Sequence, residues 1–585
     1  MLLEKLSGYF DKIKNPAPPM YLKTRVRWLI DLDRDGKLVG FVPTEGKTDG
    51  KKDRGKEFLS PHIARASGIR AKLLADNGEY TLGVARTTNK QERVDDCHRA
   101  YVEEVRKCAA ATRDPSVEAV LTFLEGPSPS AKEIPEDFEP SSILTFRVEG
   151  ILPIELPTVK AYWASIASPD QGVRTAEQGG HAMMQCLICG QVKPAVERLP
   201  FKIKGIPGGQ MSGTALISAN SPAFLSYGLE ASLIAPTCQE CGERFSKAAN
   251  ALIEGENTHI RIPPLVYIFW TRDECGFNPA SLLSDPDPGE VKALIGSAFS
   301  GAEGATQIAA TPFFATALSA SGGRAVVRDW LDTTVGRARA NLARYFVLQR
   351  IEEWDGSEGR PLGLYALAAS TVRDAARELP SSVPQSLLRV ALRGGPLPMG
   401  LLFQAVKRNR AEQRVTRPRA ALIKMVLLSQ TEAFSREGTM TQLDLTNNNP
   451  AYISGRLMGV LEGLQRAALG DVGANVTSRF FGTASSAPAS VFGNLFRSAQ
   501  HHLDKLRKEK PGTYRAFHRR LEEVMSALPA FPRVLTLEEQ GLFSLGYFHQ
   551  RAADRAAAIA HRKAATDKEQ LEETTENETG GKSDA

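Results

Sequence analysis

Two pairs of cysteines have the spacing of metal ligands, with two residues between the members of each pair: Cys186 and Cys189, then Cys238 and Cys241. Thiolates at this spacing bind Zn²⁺, which favours four of them in a tetrahedron. The chain has only 7 cysteines in 585 residues, so a disulfide-stabilised scaffold is not indicated. We therefore predict a structural zinc site, with metal-free thiols and a redox centre as the alternatives.

The long stretch between the two pairs includes a glycine-rich segment, residues 202–213. A glycine also follows each pair, at positions 190 and 242, as a tight turn prefers. The segment lacks the Lys-Ser/Thr ending of a P-loop and the glycine spacing of a dinucleotide site. Its glycines, amides and hydroxyls favour a close approach to a DNA groove instead. The candidate contacts are Lys204, Gln210, Ser212 and Asn220.

A polar, lysine-rich loop near the N-terminus is a second candidate region. Its cations would hold phosphates without reading sequence, and they are Lys51, Lys52, Arg54 and Lys56. The net charge is +6, although the 20 residues from Thr566 onward hold seven acidic residues and two lysines. The remaining chain is therefore more basic than the total shows, which favours a polyanionic partner. A mildly basic protein with an acidic disordered tail is the alternative.

The C-terminal half carries a third group of cations, within helical periodicity. Either they track single-stranded or heteroduplex nucleic acid, or they form solvated helix faces. They are Arg408, Arg410, Arg414, Arg417 and Arg419, followed by Arg497, Lys505 and Arg507.

Alternating and periodic patterns predict the elements that position these residues. The alternation over 23–32 and 37–42, joined at Asp35-Gly36, predicts a hairpin. Helices are predicted over 3–13 and 89–111, and Pro/Ser-rich residues 126–142 predict a linker or exposed loop. After about residue 280 helical periodicity dominates, and Val326 to Trp354 is expected to form one long helix.

Several classes of protein are disfavoured. No apolar run approaches the ~18 residues that span a bilayer, and the N-terminus has no secretory leader pattern, so a cytoplasmic protein without a membrane partner is expected. We find no HExxH, GxSxG or acid–histidine pattern typical of a nuclease, so we expect a protein that is not an enzyme. A zinc-dependent nuclease and a zinc-ribbon DNA-binding regulator are the alternatives.

An ordered set of motifs then resembles one known family over almost the whole chain. The motifs are the runs 73–80, 186–191, 203–213, 216–220 and 223–228, then Asn449-Pro450-Ala451-Tyr452, 455–457, 480–485 and 499–506. They resemble the large subunit of the type I-C CRISPR interference complex (Cascade).

The resemblance implies a non-catalytic subunit that recognises the protospacer-adjacent motif in target double-stranded DNA. It implies unwinding, R-loop formation, support of the displaced strand and recruitment of a helicase-nuclease. The implied partners are a guide RNA, the backbone and handle-binding subunits, and a small subunit translated from the same gene. Met458 is the predicted internal start, with Met440 as the second candidate, and Lys72 and Asn77 are predicted to probe base edges.

The predicted fold class is α+β. An N-terminal mixed α/β region with an inserted zinc knuckle precedes an all-helical region that ends in a bundle like the Cascade small subunit. The predicted divisions are 1–125, the linker 126–142, a continuation 143–280, helices over 281–457, the bundle 458–562 and an acidic disordered tail 563–585.

Overall fold

The computed structural model describes residues 1–46, 55–63, 65, 68–85, 90–130, 132–166, 182–219, 221–299, 308–430 and 440–580. Its contacts divide the chain into two units. Unit 1 is Met1–Glu254 with Ser319–Val326, and unit 2 is Gly255–Leu318 with Val327–Ala585. The finer divisions predicted from the sequence stay predictions.

Unit 1 combines short strands with a few helices. In chain order they are α1 Leu2–Tyr9, β1 Tyr21–Val26, β2 Trp28–Leu32, β3 Leu38–Pro43, β4 Lys56–Pro61, β5 Ala75–Asn77, α2 Gly78–Thr81, α3 Gln91–Thr112, α4 Pro115–Glu125, β6 Ile143–Val148, α5 Pro157–Ile166, β7 Met183–Gln185, β8 Val192–Pro194 and α6 Gln239–Glu254.

The main sheet of unit 1 has the strand order β3-β2-β6-β5. The predicted hairpin is present as the antiparallel pair β2 and β3, whereas the first half of the predicted strand forms β1 and pairs with β4. Gly36 in the hairpin turn has φ +79°, and a Cβ there would lie 2.5 Å from the carbonyl oxygen of Ala119 in α4. The turn is therefore packed directly on a helix that covers the buried core around Ile30 and Phe146.

Unit 2 opens with a sheet and continues as helices. In chain order the elements are β9 His259–Ile262, β10 Leu265–Thr271, α7 Pro279–Ser284, α8 Pro288–Phe299, β11 Pro312–Ser321, β12 Arg324–Thr334, α9 Val335–Gln349, α10 Leu364–Ala369, α11 Ala375–Glu378, α12 Ser382–Arg393, α13 Met399–Glu412, α14 Arg417–Ser429, α15 Pro450–Leu469, α16 Val476–Ala484, α17 Phe492–Glu509, α18 Pro511–Ser526 and α19 Leu537–Gly580. The turn between β11 and β12 belongs to unit 1.

The long helix predicted from Val326 to Trp354 is wrong. Its first part is strand β12, which lies beside β11 in the sheet order β12-β11-β10-β9. Helix α9 begins only at Val335, where the Thr334 side chain accepts a hydrogen bond from the Arg337 N–H. The β-branched residues of β12 favour a strand once a partner strand is present, and that partner is not visible in helical periodicity.

Helices α15 and α19 pack with their backbones in contact. A Cβ on Gly455 would lie 2.0 Å from the Phe543 carbonyl oxygen, and one on Gly546 would lie 2.1 Å from the Tyr452 carbonyl oxygen. Arg456 is 2% exposed beside this crossing, and its guanidinium donates to Gln550 at 3.2 Å and to Glu523 at 2.8 Å. Close backbone packing and a buried polar network therefore both stabilise the crossing of α15 and α19.

The described chain is mixed, with sheets in the N-terminal part and helices toward the C-terminus, as the predicted α+β class requires. Helix α19 continues to Gly580, into the acidic segment where the sequence predicts disorder. That segment is rich in Glu and has no proline, a composition compatible with a helix that is already nucleated. None of the described helices has the length and apolar content needed to cross a membrane.

Candidate metal centre and nucleic-acid interface

The four paired cysteines come together in unit 1. The Sγ atoms of Cys186, Cys189, Cys238 and Cys241 all lie within 4.8 Å of one another. The first, third and fourth are buried and Cys189 is exposed. Four thiols at such separations form the donor set of a closed tetrahedral zinc site.

Two local elements position these thiols. Strands β7 and β8 form a short antiparallel hairpin, and the Cys186–Gly190 turn closes it, with the Gly190 N–H donating to the Cys186 carbonyl at 2.9 Å. Gly190 has φ +73°, which a residue with a side chain rarely adopts. The second pair begins helix α6, and the backbone of Cys238 pairs with Ala195 beyond β8. The two pairs therefore meet through backbone pairing as well as through their side chains.

The glycine that follows the second pair has a different purpose from the one predicted. Gly242 lies in the first turn of α6, where no positive φ is needed. A Cβ there would lie 3.2 Å from Leu199 Cδ2 and 3.5 Å from Pro200 Cδ. Gly242 thus permits close packing of the helix on the chain that leads into the glycine-rich segment.

Electrostatics within the cluster favour a negative charge on Cys238, whereas the pKa of Cys189 is raised, mainly by burial. Hydrogen bonds from the Cys241 thiol and other donors, including the Cys241 backbone N–H, lower the pKa of Cys238 to about 5. The reciprocal hydrogen bond raises the pKa of Cys241. The Cys238 N–H in turn points at Cys186 Sγ at 3.4 Å. Backbone N–H groups directed at sulfur fit thiolates that share a cation, so the residues present fit Zn²⁺.

The glycine-rich segment is held against helix α6. The Asn250 side chain accepts from the Lys204 N–H at 2.8 Å and donates to the Lys202 carbonyl at 3.1 Å. The segment folds back on itself, because Ile203 and Thr214 exchange two backbone hydrogen bonds of 2.8 Å. Gly213 has φ +92°, and a Cβ there would lie 2.7 Å from Lys202 Cβ. The cysteine pairs and this segment are therefore attached to the same helix.

The predicted contacts on this segment lie at its surface. Lys204, Gln210 and Ser212 are exposed, whereas Asn220 lies outside the described residues. Lys51, Lys52 and Arg54 also lie outside them, and Lys56 is exposed at the start of β4.

The structure brings Lys72 and Lys204 into one electrostatic neighbourhood. Burial lowers the pKa of Lys72, Asp76 opposes that shift, and Arg65 and Lys204 add to it. The same two lysines help burial lower the pKa of His62 to about 4. Arg65 binds the fully buried Asp76 carboxylate through both of its terminal nitrogens. Lys72, Lys204 and Arg65 are thus a group of cations near the buried Asp76 carboxylate, a setting that a phosphate would stabilise.

Sequence reasoning missed Arg65 and Asp76 as parts of this cluster. Asp76 lies in a recognised motif, but its role follows only from the buried ion pair with Arg65. No short sequence motif identifies Arg65, because its partner Asp76 lies 11 residues further along the chain, in β5.

Asn77 has a structural role that the sequence did not predict, and its base contact stays a prediction. It is half-buried and caps α2, where its side-chain oxygen accepts from the Tyr80 N–H at 3.3 Å. We expect Asn77→Ala to lower the free energy of unfolding by about 1 kcal/mol, while Asn77→Ser keeps a cap. Thermal unfolding of both variants measures this difference. Equal stabilities would contradict the capping role, and loss of motif-dependent DNA binding in both variants would indicate base contact by the amide.

The cations of unit 2 fall into two groups. Arg410, Arg414, Arg497 and Arg507 are exposed, and Lys505 is half-buried and lies 4.0 Å from Glu509. Arg507 also lies near an acid, since its guanidinium is 3.3 Å from Asp504 on the same helix. These side chains remain available to a polyanion, because ion pairs of this kind at a helix surface are weak.

Arg417 and Arg419 are buried, so they are not placed to contact a nucleic acid as predicted. They are 8% and 5% exposed. The Arg417 guanidinium is 3.0 Å from Glu353 and the Arg419 guanidinium donates to the Ser370 carbonyl at 2.9 Å. Arg408 is half-buried and paired with Glu412, which also pairs with Arg419. The basic stretch is therefore largely an internal ion-pair network rather than a solvated face.

Comparison with known protein families matches residues 5–554 to the family described as CRISPR-associated protein (Cas_Csd1). No curated protein matches the chain.

Proposed function

The chain belongs to the Cas_Csd1 family of CRISPR-associated proteins, and from this we propose that it is the large subunit of a type I-C guide-RNA complex (Cascade). The family match over residues 5–554 is the observation that carries the proposal. In such a complex the guide RNA reads the target by base pairing, and a protein subunit reads the short flanking motif. The partners proposed are the guide RNA, the backbone and handle-binding subunits and the target duplex.

Unit 1 has features suited to reading a duplex. Lys204 and Gln210 stand at the surface of a segment that glycines and Asn250 hold close to α6. Lys72 and Arg65 add positive charge in the neighbourhood of Lys204. Lysine positions the phosphates while an amide reads a base edge. This arrangement supports recognition of the protospacer-adjacent motif and the start of unwinding.

Unit 2 supports a role with the displaced strand. Helix α17 buries Leu495 and Leu503 on one face and exposes Arg497 and Arg507 on the other. A cationic helix face can follow a single strand after R-loop formation. Recruitment of a helicase-nuclease to the opened DNA completes the proposed function.

We also propose that the chain is non-catalytic. Four cysteine ligands complete the coordination of Zn²⁺, whereas catalytic zinc keeps a position open for water or substrate. The four-thiol cluster therefore supports a bracing role rather than a zinc-dependent nuclease or a hydrolytic centre.

Co-expression with the neighbouring subunits and guide RNA tests the proposal. We expect Lys204→Ala to weaken target binding equally for all flanking sequences and to reduce the salt slope by about 1. Gln210→Ala should weaken it only for the preferred flank. Lys107→Ala, an exposed lysine on α3, is the control. Failure to recover a guide-RNA complex would overturn the assignment of the chain as the large subunit. If both variants keep the flank preference of the wild type, the proposed reading site is wrong.

The small subunit is proposed to begin at Met440 rather than at Met458. Met458 is fully buried in the middle of α15. A start there removes the Asn449 cap, Gly455 and the buried Arg456, whereas a start at Met440 keeps the whole crossing with α19.

We expect Met440→Leu to abolish the small product and Met458→Leu to preserve it. Leucine replaces buried methionine with little cost in packing. An immunoblot against a C-terminal tag measures the product in cells that express the full gene. Loss of the small product in Met458→Leu, with the product kept in Met440→Leu, would assign the start to Met458.

A further inference from the structure

A hairpin in unit 1 presents an aromatic residue at its tip. Ala219 pairs with Ala231 and Ser226 pairs with Leu229, whose N–H donates to the Ser226 carbonyl at 2.9 Å. Tyr227 is one of the two central residues of the turn, and it has φ 52° while the glycine after it has φ 71°. Two consecutive positive φ angles define a type I′ turn.

Tyr227 is an unusual residue for this position. The turn favours Asn, Asp or Gly, because a bulky side chain at positive φ is strained. The tyrosine is 98% exposed, so packing within the chain does not offset that strain. Nearby Phe224 and Leu225 are 44% and 40% exposed. Strain without internal compensation indicates that the ring acts on something outside the folded chain.

One cation, Arg324, lies beside this aromatic tip. The Arg324 guanidinium lies over the Phe224 ring, 4.0 Å from its centroid. Arg324 is placed by pairing of its strand with Ala215, which lies just beyond the glycine-rich segment. The Gln210 side chain reaches within 3.4 Å of the point where a Cβ of Gly323 would stand. The hairpin tip, Arg324 and the proposed reading segment therefore share one surface of unit 1.

We propose that Tyr227 is a base-stacking residue that contacts a DNA base where the target duplex begins to open. A flat ring stacks on any base, and a neighbouring cation such as Arg324 can hold a phosphate of the same strand. Side chains inserted at a base step also unstack it, which lowers the cost of opening. This inference rests on the proposed function and adds to it the group that touches the base. Charge complementarity favours DNA over an apolar protein pocket.

The test uses the assembled guide-RNA complex and target duplexes that carry 2-aminopurine at successive positions beside the flanking motif. We expect Tyr227→Ala to weaken duplex binding by about tenfold or more and to abolish the change in 2-aminopurine fluorescence at one position. Tyr227→Trp should restore both. Tyr365→Ala is the control, because Tyr365 is a half-exposed tyrosine on α10 of unit 2. The exposure of Tyr227 predicts an unchanged melting temperature for both Tyr227 variants.

The outcomes separate the two proposals. A wild-type complex that does not bind the duplex overturns the proposed function. A wild-type complex that binds, with Tyr227→Ala giving the same affinity and fluorescence, overturns only the stacking role. Failure of Tyr227→Ala to assemble into the complex would assign Tyr227 to a protein contact and would also overturn the stacking role.

Discussion

Replacing both Cys186 and Cys238 by serine is expected to release the metal and to destabilise unit 1. Two ligands remain in that variant, one from each pair, and two thiolates do not hold zinc in a structural site. Binding of zinc to such sites contributes about 10–16 kcal/mol in small zinc-finger peptides, so its loss should exceed the effect of any single core substitution. Metal content by mass spectrometry and thermal unfolding measure the two effects.

The matched control is the double variant Cys97→Ser with Cys108→Ser. Both thiols are buried in the same unit, and they lie on α3 away from the cluster. This variant should keep its zinc and lose stability only through burial of two hydroxyls, by about 1–3 kcal/mol for each. Equal zinc content in the two double variants would refute the metal site.

The cysteine cluster and the glycine-rich segment are both attached to α6, so loss of the metal should also affect DNA binding. Without metal the β7–β8 hairpin is joined to the start of α6 by backbone pairing alone, and the segment around Lys204 loses part of its support. We therefore expect the cysteine variant to lose motif-dependent DNA binding together with zinc. A chelator that removes zinc from the wild-type protein should reproduce the loss, and added zinc should reverse it.

The second large effect is expected at the crossing of α15 and α19. Gly455→Ala places a methyl group 2.0 Å from the Phe543 carbonyl oxygen, so the two helices must move apart. Overpacking of this kind costs about 1–3 kcal/mol or more, which exceeds the gain of about 1 kcal/mol in helix propensity from glycine to alanine. Calorimetric unfolding of the full chain should show a lower transition temperature for unit 2.

Gly482→Ala is the control for this prediction. Gly482 lies in α16 of the same bundle, and a Cβ there meets no atom within 4 Å. Only the propensity effect remains, so this variant should be as stable as the wild type or slightly more stable. A destabilised Gly482→Ala with an unaffected Gly455→Ala would show that the crossing does not limit the stability of the bundle.

Local features of the chain were predictable because neighbouring residues encode them. The two-residue spacing of the cysteines, the glycine after Cys189 and the Asp35-Gly36 turn all appear in the structure as expected. Each depends on backbone geometry over a few residues, where propensity and spacing act directly.

Other features depended on partners far along the chain. Helical periodicity after Val326 did not reveal strand β12, since its pairing with β11 decides the conformation. Either sequence interpretation of the dense cations requires exposed side chains, yet Arg417 and Arg419 are buried and paired with carbonyl groups and acids far along the chain.

The sequence by itself determined the ligand chemistry, the positions of the local turns and the family. Only the tertiary structure decided that Lys72 joins Lys204, that Arg417 turns inward and that Tyr227 stands at an exposed tip. The physical reason is that residue type specifies what a side chain can bind, whereas burial and charge pairing arise from contacts between distant segments.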